Sequence, residues 1–160
     1  CAINFVSGSD ATRIGLTGHS MGGLASLLAA GEAGAVAAIA PPSNFPEVYE
    51  HRRKASLINL DEWKKKGYTS LFGIRVNYSL YSDAVRYDQQ TVAKSVKCPV
   101  LIVHGDEDEI IPLKQSLDLF NALKCEKRLE VLKGSRHDLS KDDYARVVEF
   151  TKQWFSRWLF

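Results

Sequence analysis

The chain has 160 residues, of which 45% are hydrophobic and 25% are charged. This composition is typical of one globular unit with a buried core, and it excludes a disordered or fibrous chain. The formal net charge of +2 is too small to indicate nucleic-acid binding, and no apolar stretch of the sequence is long enough to span a bilayer.

The first predicted elements are a strand at residues 13–17 and an alanine- and leucine-rich helix at residues 21–30. Between them lies Gly18-His19-Ser20-Met21-Gly22, which matches the nucleophile elbow, a tight turn from a strand into a helix. Such a turn holds its serine in a strained backbone conformation, and glycines on either side keep neighbouring side chains out of the corner. We therefore expect Ser20 Oγ to be exposed at the carboxyl end of the strand, with the Met21 NH directed at a developing oxyanion.

The later elements continue an alternation of strands and helices, which predicts a parallel sheet. Helical spacing of apolar residues predicts one helix after the third strand, and a last helix opens at Ser140 with Asp143 in the capping-box position. Residues 43–93 interrupt this alternation with a basic and then an aromatic section. The predicted strands after the first lie at residues 36–40, 100–104 and 129–132.

A carboxylate and a histidine follow the elbow in the order that a serine nucleophile requires. The strand at residues 100–104 runs into a loop that holds Asp106 and Asp108, either of which could be the acid. The strand at residues 129–132 runs into the loop of His137. Because the carboxyl ends of parallel strands meet at one edge of a sheet, we expect both loops to lie near Ser20.

The three segments GHSMGG, HGDEDEIIP and GSRHD together resemble the catalytic segments of the α/β-hydrolase superfamily. Within it, the pattern is similar to carboxylesterases of the feruloyl and cinnamoyl esterase-like group and to monoglyceride-lipase-like serine hydrolases. The resemblance implies Ser20 as the nucleophile, Asp108 rather than Asp106 as the acid, and His137 as the base. It also implies an α/β fold, a partial α/β-hydrolase fold with a mostly parallel sheet flanked by helices. Residues 1–42 and 94–160 would form the core, and residues 43–93 would form a cap insert over the active site.

The expected function is that of a serine hydrolase that cleaves a small-molecule carboxylic ester through an acyl-enzyme on Ser20. Thioesterase, acyltransferase or peptidase chemistry would use the same residues. The alternative from another class is a non-catalytic hydrolase fragment or interaction module.

Ser20 lies close to the start of the chain, whereas α/β hydrolases normally have several strands before the elbow. We therefore expect an amino-terminally truncated hydrolase that lacks the loop with the second oxyanion NH, and residues 1–6 resemble the tail of a helix. An open edge beside the first strand predicts self-association.

The remaining polar residues indicate structural roles. His19, His51 and His104 are expected to pack or to bond locally, and the basic residues 51–54 and 64–66 are expected to form solvated helix faces. No HExxH or CxxC motif occurs, so the sequence implies no metal and no cofactor. The odd count of three cysteines gives no disulfide framework and predicts a reducing, cytoplasmic compartment.

Overall fold

A computed structural model describes residues 13–54, 58–71 and 73–160. Four parallel strands form the main sheet in the order β1-β2-β5-β6, and β3 and β4 form a separate antiparallel hairpin. The strands are β1 (Gly15–His19), β2 (Ala35–Ile39), β3 (Tyr68–Leu71), β4 (Ile74–Asn77), β5 (Val100–Gly105) and β6 (Lys127–Leu132).

Helices cover both faces of the sheet, because the buried strands β2 and β5 send alternate apolar side chains to opposite sides. Val36 and Ile102 face a core that includes residues of α1, α5 and α6. Ala37 and Leu101 face a second core closed by Val147 and other residues of α7. The helices are α1 (Met21–Leu28), α2 (Phe45–Lys54), α3 (Leu60–Lys66), α4 (Tyr78–Ala84), α5 (Gln89–Ser95), α6 (Leu113–Ala122) and α7 (Lys141–Trp158).

The alternation of strands and helices predicted from the sequence is confirmed, with small shifts at the ends of elements. The helix predicted to reach Ala30 ends at Leu28 and is followed by a 3-10 turn at Ala30–Glu32. The capping box is present: Ser140 Oγ accepts a hydrogen bond from the Asp143 NH, and the Asp143 carboxylate accepts one from the Ser140 NH. The class of fold is therefore α/β, with a mostly parallel sheet flanked by helices.

The segment at residues 43–93, here called the insert, holds α2, α3, the hairpin, α4 and the start of α5. Its aromatic residues pack around Trp63, which is 1% exposed, and Tyr78 stacks edge-on against that ring at 5.9 Å. A buried polar contact fixes the start of the insert, because Ser43 Oγ donates to the Gln115 carbonyl of α6 at 2.8 Å. Val92 of α5 lies in the same core as α1, so the end of the insert packs against the sheet layer. The division into core and cap stays a prediction.

Within the described residues, β1 stands at one end of the sheet order, and self-association through that edge stays a prediction. The helix tail predicted at residues 1–6 lies outside the described residues. In the part of the chain that the structure describes, no helix is both long and apolar enough to cross a membrane.

Candidate active site

Ser20 lies between β1 and α1 in the strained conformation that the elbow pattern predicts. Its φ of 55° and ψ of −121° are outside the regions that L-residues normally occupy. The Ser20 NH donates to the Ile39 carbonyl of β2 at 2.8 Å, and the Ser20 carbonyl accepts from the Gly23 NH at 2.9 Å. These two hydrogen bonds hold the turn in place, so the sheet and the new helix together bear the strain.

The two glycines of the elbow, Gly18 and Gly22, differ in the space that surrounds them. A Cβ at Gly18 would lie 2.3 Å from the backbone carbon and oxygen of Gly22, far inside van der Waals contact. A Cβ at Gly22 would meet nothing within 4 Å. The steric role expected of both glycines therefore belongs to Gly18 alone, because the first turn of α1 crosses directly over it.

Asp108 lies in the loop after β5, residues 106–112, which is here called the acid loop. The backbone of this loop fixes the Asp108 carboxylate. Oδ1 accepts hydrogen bonds from the amides of Ile110 at 2.9 Å and Ile111 at 2.7 Å. Oδ2 is left to pair with His137 in the loop after β6, residues 133–140, which is here called the histidine loop. Asp108 is 8% exposed, so its charge is held in a largely desolvated position.

His137 lies in the loop after β6 and joins Asp108 to Ser20. Its Nδ1 lies 2.7 Å from Asp108 Oδ2, and its Nε2 lies 3.1 Å from Ser20 Oγ. Since a carboxylate can only accept, Nδ1 carries the proton and Nε2 is free to accept from the serine hydroxyl. The structure thus brings together the three residues that the sequence singled out, with spacings suited to nucleophile, base and orienting acid.

Hydrogen bonds keep Asp108 ionised. Burial alone would raise the pKa of Asp108, but hydrogen bonds from His104, His137 and the Ile111 amide lower that pKa well below its ordinary range. The rival Asp106 has a different place: its Oδ1 accepts from the Gly134 amide at 2.6 Å, and the side chain is exposed. Asp106 therefore bonds a backbone amide, and its carboxylate is not the one that pairs with His137.

Two further side chains support the site. His104 is buried beneath Asp108, with Nε2 2.8 Å from the Ile111 carbonyl and 3.3 Å from Asp108 Oδ2. Glu109 ties the acid loop to the histidine loop, because it accepts from Arg136 at 2.8 Å and from the His137 amide at 3.4 Å. No local pattern in the sequence marks either role, since the partners of His104 lie in the acid loop and α6 and those of Glu109 lie in the histidine loop.

The other histidines occupy peripheral positions. The His19 ring lies 4.8 Å from the His137 ring, and burial lowers the pKa of His19, which favours the neutral form. His51, on α2, donates from Nε2 to the Glu109 carbonyl at 3.1 Å and so joins the insert to the acid loop. His19 therefore packs as expected from the sequence, whereas the contact of His51 is not local, because its partner lies 58 residues further along the chain.

Met21 directly follows Ser20 and supplies the backbone NH that the elbow pattern predicts for the oxyanion. It is the first residue of α1, so its NH is one of the four amides that have no acceptor within the helix. The positive end of the helix dipole adds to the field at this point. The Met21 NH is therefore suited to bind a developing oxyanion, although this role stays a prediction.

A cavity of about 320 Å³ opens beside Ser20 and His137. That volume is at the small end of the range for small-molecule pockets, roughly 300–1,000 Å³. The acid loop contributes Ile110 and Ile111 to its wall, and most of the remaining wall is apolar and comes from the insert. The insert residues that line the cavity are Phe45, Val48, Tyr49, Arg52, Leu71, Ile74, Val76 and Leu80.

The parallel sheet, the strained serine after β1, and the acid and histidine at the ends of β5 and β6 define a serine hydrolase of the α/β-hydrolase type. Comparison with known families gives a more specific assignment. The chain belongs to the prolyl oligopeptidase family, whose profile matches residues 7–159. The superfamily resemblance stated from the sequence is thereby confirmed.

Individual relatives include both peptidases and an esterase. "Uncharacterized peptidase YuxL" of Bacillus subtilis (strain 168) is 25% identical over an alignment of 160 positions, which covers 94% of this chain and 23% of that protein. The esterase domain of a Rhodothermus marinus protein superposes with a TM-score of 0.74 at 26% identity, covering 99% of this chain and 67% of that one. Acylaminoacyl peptidase from Pyrococcus horikoshii superposes with a TM-score of 0.67 at 26% identity, covering 94% of this chain and 25% of that one. The chain thus spans about a quarter of the length of each peptidase relative.

Proposed function

We propose that this serine hydrolase cleaves carboxylic esters through an acyl-enzyme formed on Ser20. The observation that carries the proposal is the hydrogen-bonded chain from Ser20 Oγ through His137 to Asp108 at the mouth of a mostly apolar cavity. Asp108, His137 and Ser20 then act as one unit, with the insert as a cap that covers them.

In the first half of the reaction, Ser20 Oγ attacks the carbonyl carbon while His137 Nε2 takes the hydroxyl proton. The tetrahedral oxyanion accepts a hydrogen bond from the Met21 NH, and Asp108 stabilises the imidazolium through its bond to Nδ1. The bond to the leaving oxygen then breaks, and His137 gives its proton to the departing alcohol.

In the second half, water attacks the acyl-enzyme and His137 Nε2 accepts a proton from it. Collapse of the second tetrahedral intermediate breaks the bond to Ser20 Oγ, which recovers its proton from His137. The products are a carboxylic acid and an alcohol, and the protein returns to its starting state.

The cavity favours an ester over a peptide. A peptide that enters this cavity must bury backbone NH and CO groups. Each buried group costs free energy unless it finds a hydrogen-bond partner. The residues lining this cavity are mainly aliphatic and aromatic, and they suit a short acyl or aromatic group.

Peptide hydrolysis is the second candidate, because the family is that of prolyl oligopeptidase and two relatives are named peptidases. The same three residues would cleave an amide by the same steps. Comparison of kcat/KM for p-nitrophenyl acetate with that for N-acetyl-alanine p-nitroanilide distinguishes the two candidates, and we expect the ester to be strongly preferred after correction for intrinsic reactivity.

The primary test is covalent labelling by a fluorophosphonate, read by mass spectrometry of the peptide that contains Ser20. We expect one adduct on Ser20 in the wild-type chain and none in Ser20→Ala. Ser20→Ala and His137→Ala should each lower ester turnover by about 10⁴- to 10⁶-fold. A folded wild-type chain that takes no label and turns over no ester would instead be a non-catalytic interaction module.

A further inference from the structure

Arg52 introduces a positive charge into the otherwise uncharged wall of the cavity. It lies in the last turn of α2 and lines the same cavity as Ser20 and His137. Of the described residues that form this wall, it is the one with a permanent charge. The sequence predicts a solvated face for the whole basic run at residues 51–54, and Arg52 departs from that prediction because it is half-buried.

The neighbouring cations of α2 have acidic partners, whereas Arg52 has none among the described residues. Arg53 donates to Glu50 through Nε at 2.9 Å and Nη2 at 2.8 Å, and Lys54 lies 3.8 Å from the same carboxylate. The Arg52 Nε is buried and has no hydrogen-bond acceptor in the described part of the chain.

A half-buried Arg52 cation without an acidic partner costs free energy unless a negative group lies near it. Burial lowers the pKa of Arg52, which means that the cation has lost solvation and has regained too little from its surroundings. Because Nε has almost no accessible surface, Arg52 lines the cavity through its other atoms, and no acidic side chain among the described residues neutralises its charge. A negative group within the cavity would offset the loss of solvation, so the cavity wall favours a ligand with a negative group.

We propose that Arg52 binds a carboxylate on the substrate, so that the preferred substrates are short esters carrying one free carboxylate. The inference rests on the proposed function, since the same cavity serves Ser20. It makes Arg52 a residue that determines specificity and leaves the chemical steps to Ser20, His137 and Asp108.

A carboxylate fits this wall better than other anions. The guanidinium is planar and pairs with a carboxylate through two parallel hydrogen bonds. One negative charge balances the one permanent cation of the wall, whereas a phosphate monoester would bring nearly two. Apolar residues that line the same cavity, such as Val48 and Phe45, suit a short hydrocarbon linker.

The first experiment compares esters that differ in one charge. Mono-p-nitrophenyl glutarate against p-nitrophenyl valerate tests a carboxylate on the acyl side, and 4-acetoxybenzoate against 4-acetoxybenzamide tests one on the leaving group. The readout is the ratio of kcat/KM for the charged ester to that for its neutral partner. We expect Arg52→Met to lower this ratio by about 10- to 100-fold in one of the two pairs.

Two variants serve as controls. Arg53→Met removes a cation from the same helix that is exposed and paired with Glu50, and it should leave both ratios unchanged. Arg52→Lys keeps the charge but loses the planar pair of donors, and it should restore part of the ratio. If Arg52→Met lowers kcat/KM equally for the charged and the neutral ester of each pair, or lowers neither, both ratios keep their wild-type values. That result would overturn the proposal.

The second experiment separates this inference from the hydrolase proposal, because it measures binding without turnover. Calorimetric titration of hexanoate and hexanamide into Ser20→Ala protein should give tighter binding of hexanoate, and the difference should disappear in Ser20→Ala/Arg52→Met. Equal binding of the two compounds by Ser20→Ala would contradict the role of Arg52 even if ester hydrolysis is found. A preference for hexanoate in a chain without hydrolytic activity would support the role of Arg52 and contradict only the reaction.

Discussion

His104 Nε2 lies 3.3 Å from Asp108 Oδ2, the same carboxylate oxygen that pairs with His137 Nδ1. His104 Nε2 also lies 2.8 Å from the Ile111 carbonyl, and His104 Nδ1 lies 2.6 Å from Ser116 Oγ. Because a carbonyl and a carboxylate can only accept, Nε2 must carry a proton, and Nδ1 pairs with the Ser116 hydroxyl. His104 therefore supports Asp108 as a donor.

Substitution of His104 should reduce turnover through Asp108. His104→Phe removes the donor near Oδ2, which lets the carboxylate turn and raises the pKa of Asp108 toward its ordinary value. We expect kcat for an activated ester to fall by about 10-fold or more with little change in KM, a loss of roughly 1.5–3 kcal/mol for a hydrogen bond to a charged group. Ser116→Ala removes only the contact to Nδ1 and should lower kcat much less. A larger fall in Ser116→Ala than in His104→Phe would contradict the positioning role.

The two aspartates of the acid loop should differ sharply in their effect on activity. Asp108→Asn would favour the wrong tautomer of His137 and should lower kcat by about 10⁴-fold. Asp106→Asn weakens one hydrogen bond to the Gly134 amide, so its cost should be limited to about 0.5–1.5 kcal/mol of unfolding free energy. Ester kinetics and urea unfolding of both variants provide the comparison. Greater loss of kcat in Asp106→Asn would show that the acid has been wrongly assigned.

The lowered pKa of Asp108 also predicts how stability changes in acid. A carboxylate with a lower pKa in the folded state stabilises the fold above its unfolded pKa, about 3.9, and this contribution is lost as pH falls through the folded pKa. Between pH 5 and pH 3 the wild-type chain should therefore lose more unfolding free energy than Asp108→Asn does. Urea unfolding at the two pH values measures the difference, and equal losses in both proteins would mean that Asp108 is not preferentially ionised in the folded chain.

Much of this site could be predicted from the sequence because its main residues follow strands. The apolar runs of β2 and β5 are local signals, and the carboxyl ends of parallel strands necessarily share an edge. Once that edge is known, Ser20, Asp108 and His137 are brought together by topology. The capping box at Ser140 is also local, since its two partners are three residues apart.

The parts that could not be predicted depend on contacts between distant segments. A run of four basic residues from His51 to Lys54 does not indicate which one faces a cavity, because that depends on how α2 packs over the sheet. The contacts of His104 come from α6 and from the acid loop, so no pattern along β5 marks it. The hairpin of β3 and β4 has one local signal in the sequence, Gly73, whose φ of 78° between the two strands is a conformation that favours glycine.

Substitution of the elbow glycines tests whether the turn at Ser20 depends on the close approach of β1 and α1. Gly18→Ala would place a methyl group 2.3 Å from the Gly22 backbone, so β1 and α1 must separate or the turn must change. We expect this variant to lose more than about 3 kcal/mol of unfolding free energy, comparable to severe overpacking of a core. Labelling of Ser20 by a fluorophosphonate should fall with it.

Gly22→Ala is the matched control, since its methyl group meets open space in a helical position, where alanine is favoured over glycine by roughly 0.5–1 kcal/mol. Chemical denaturation of the two variants should thus give changes of opposite sign. A stable Gly18→Ala protein that still reacts at Ser20 would mean that the turn does not depend on close contact between β1 and α1.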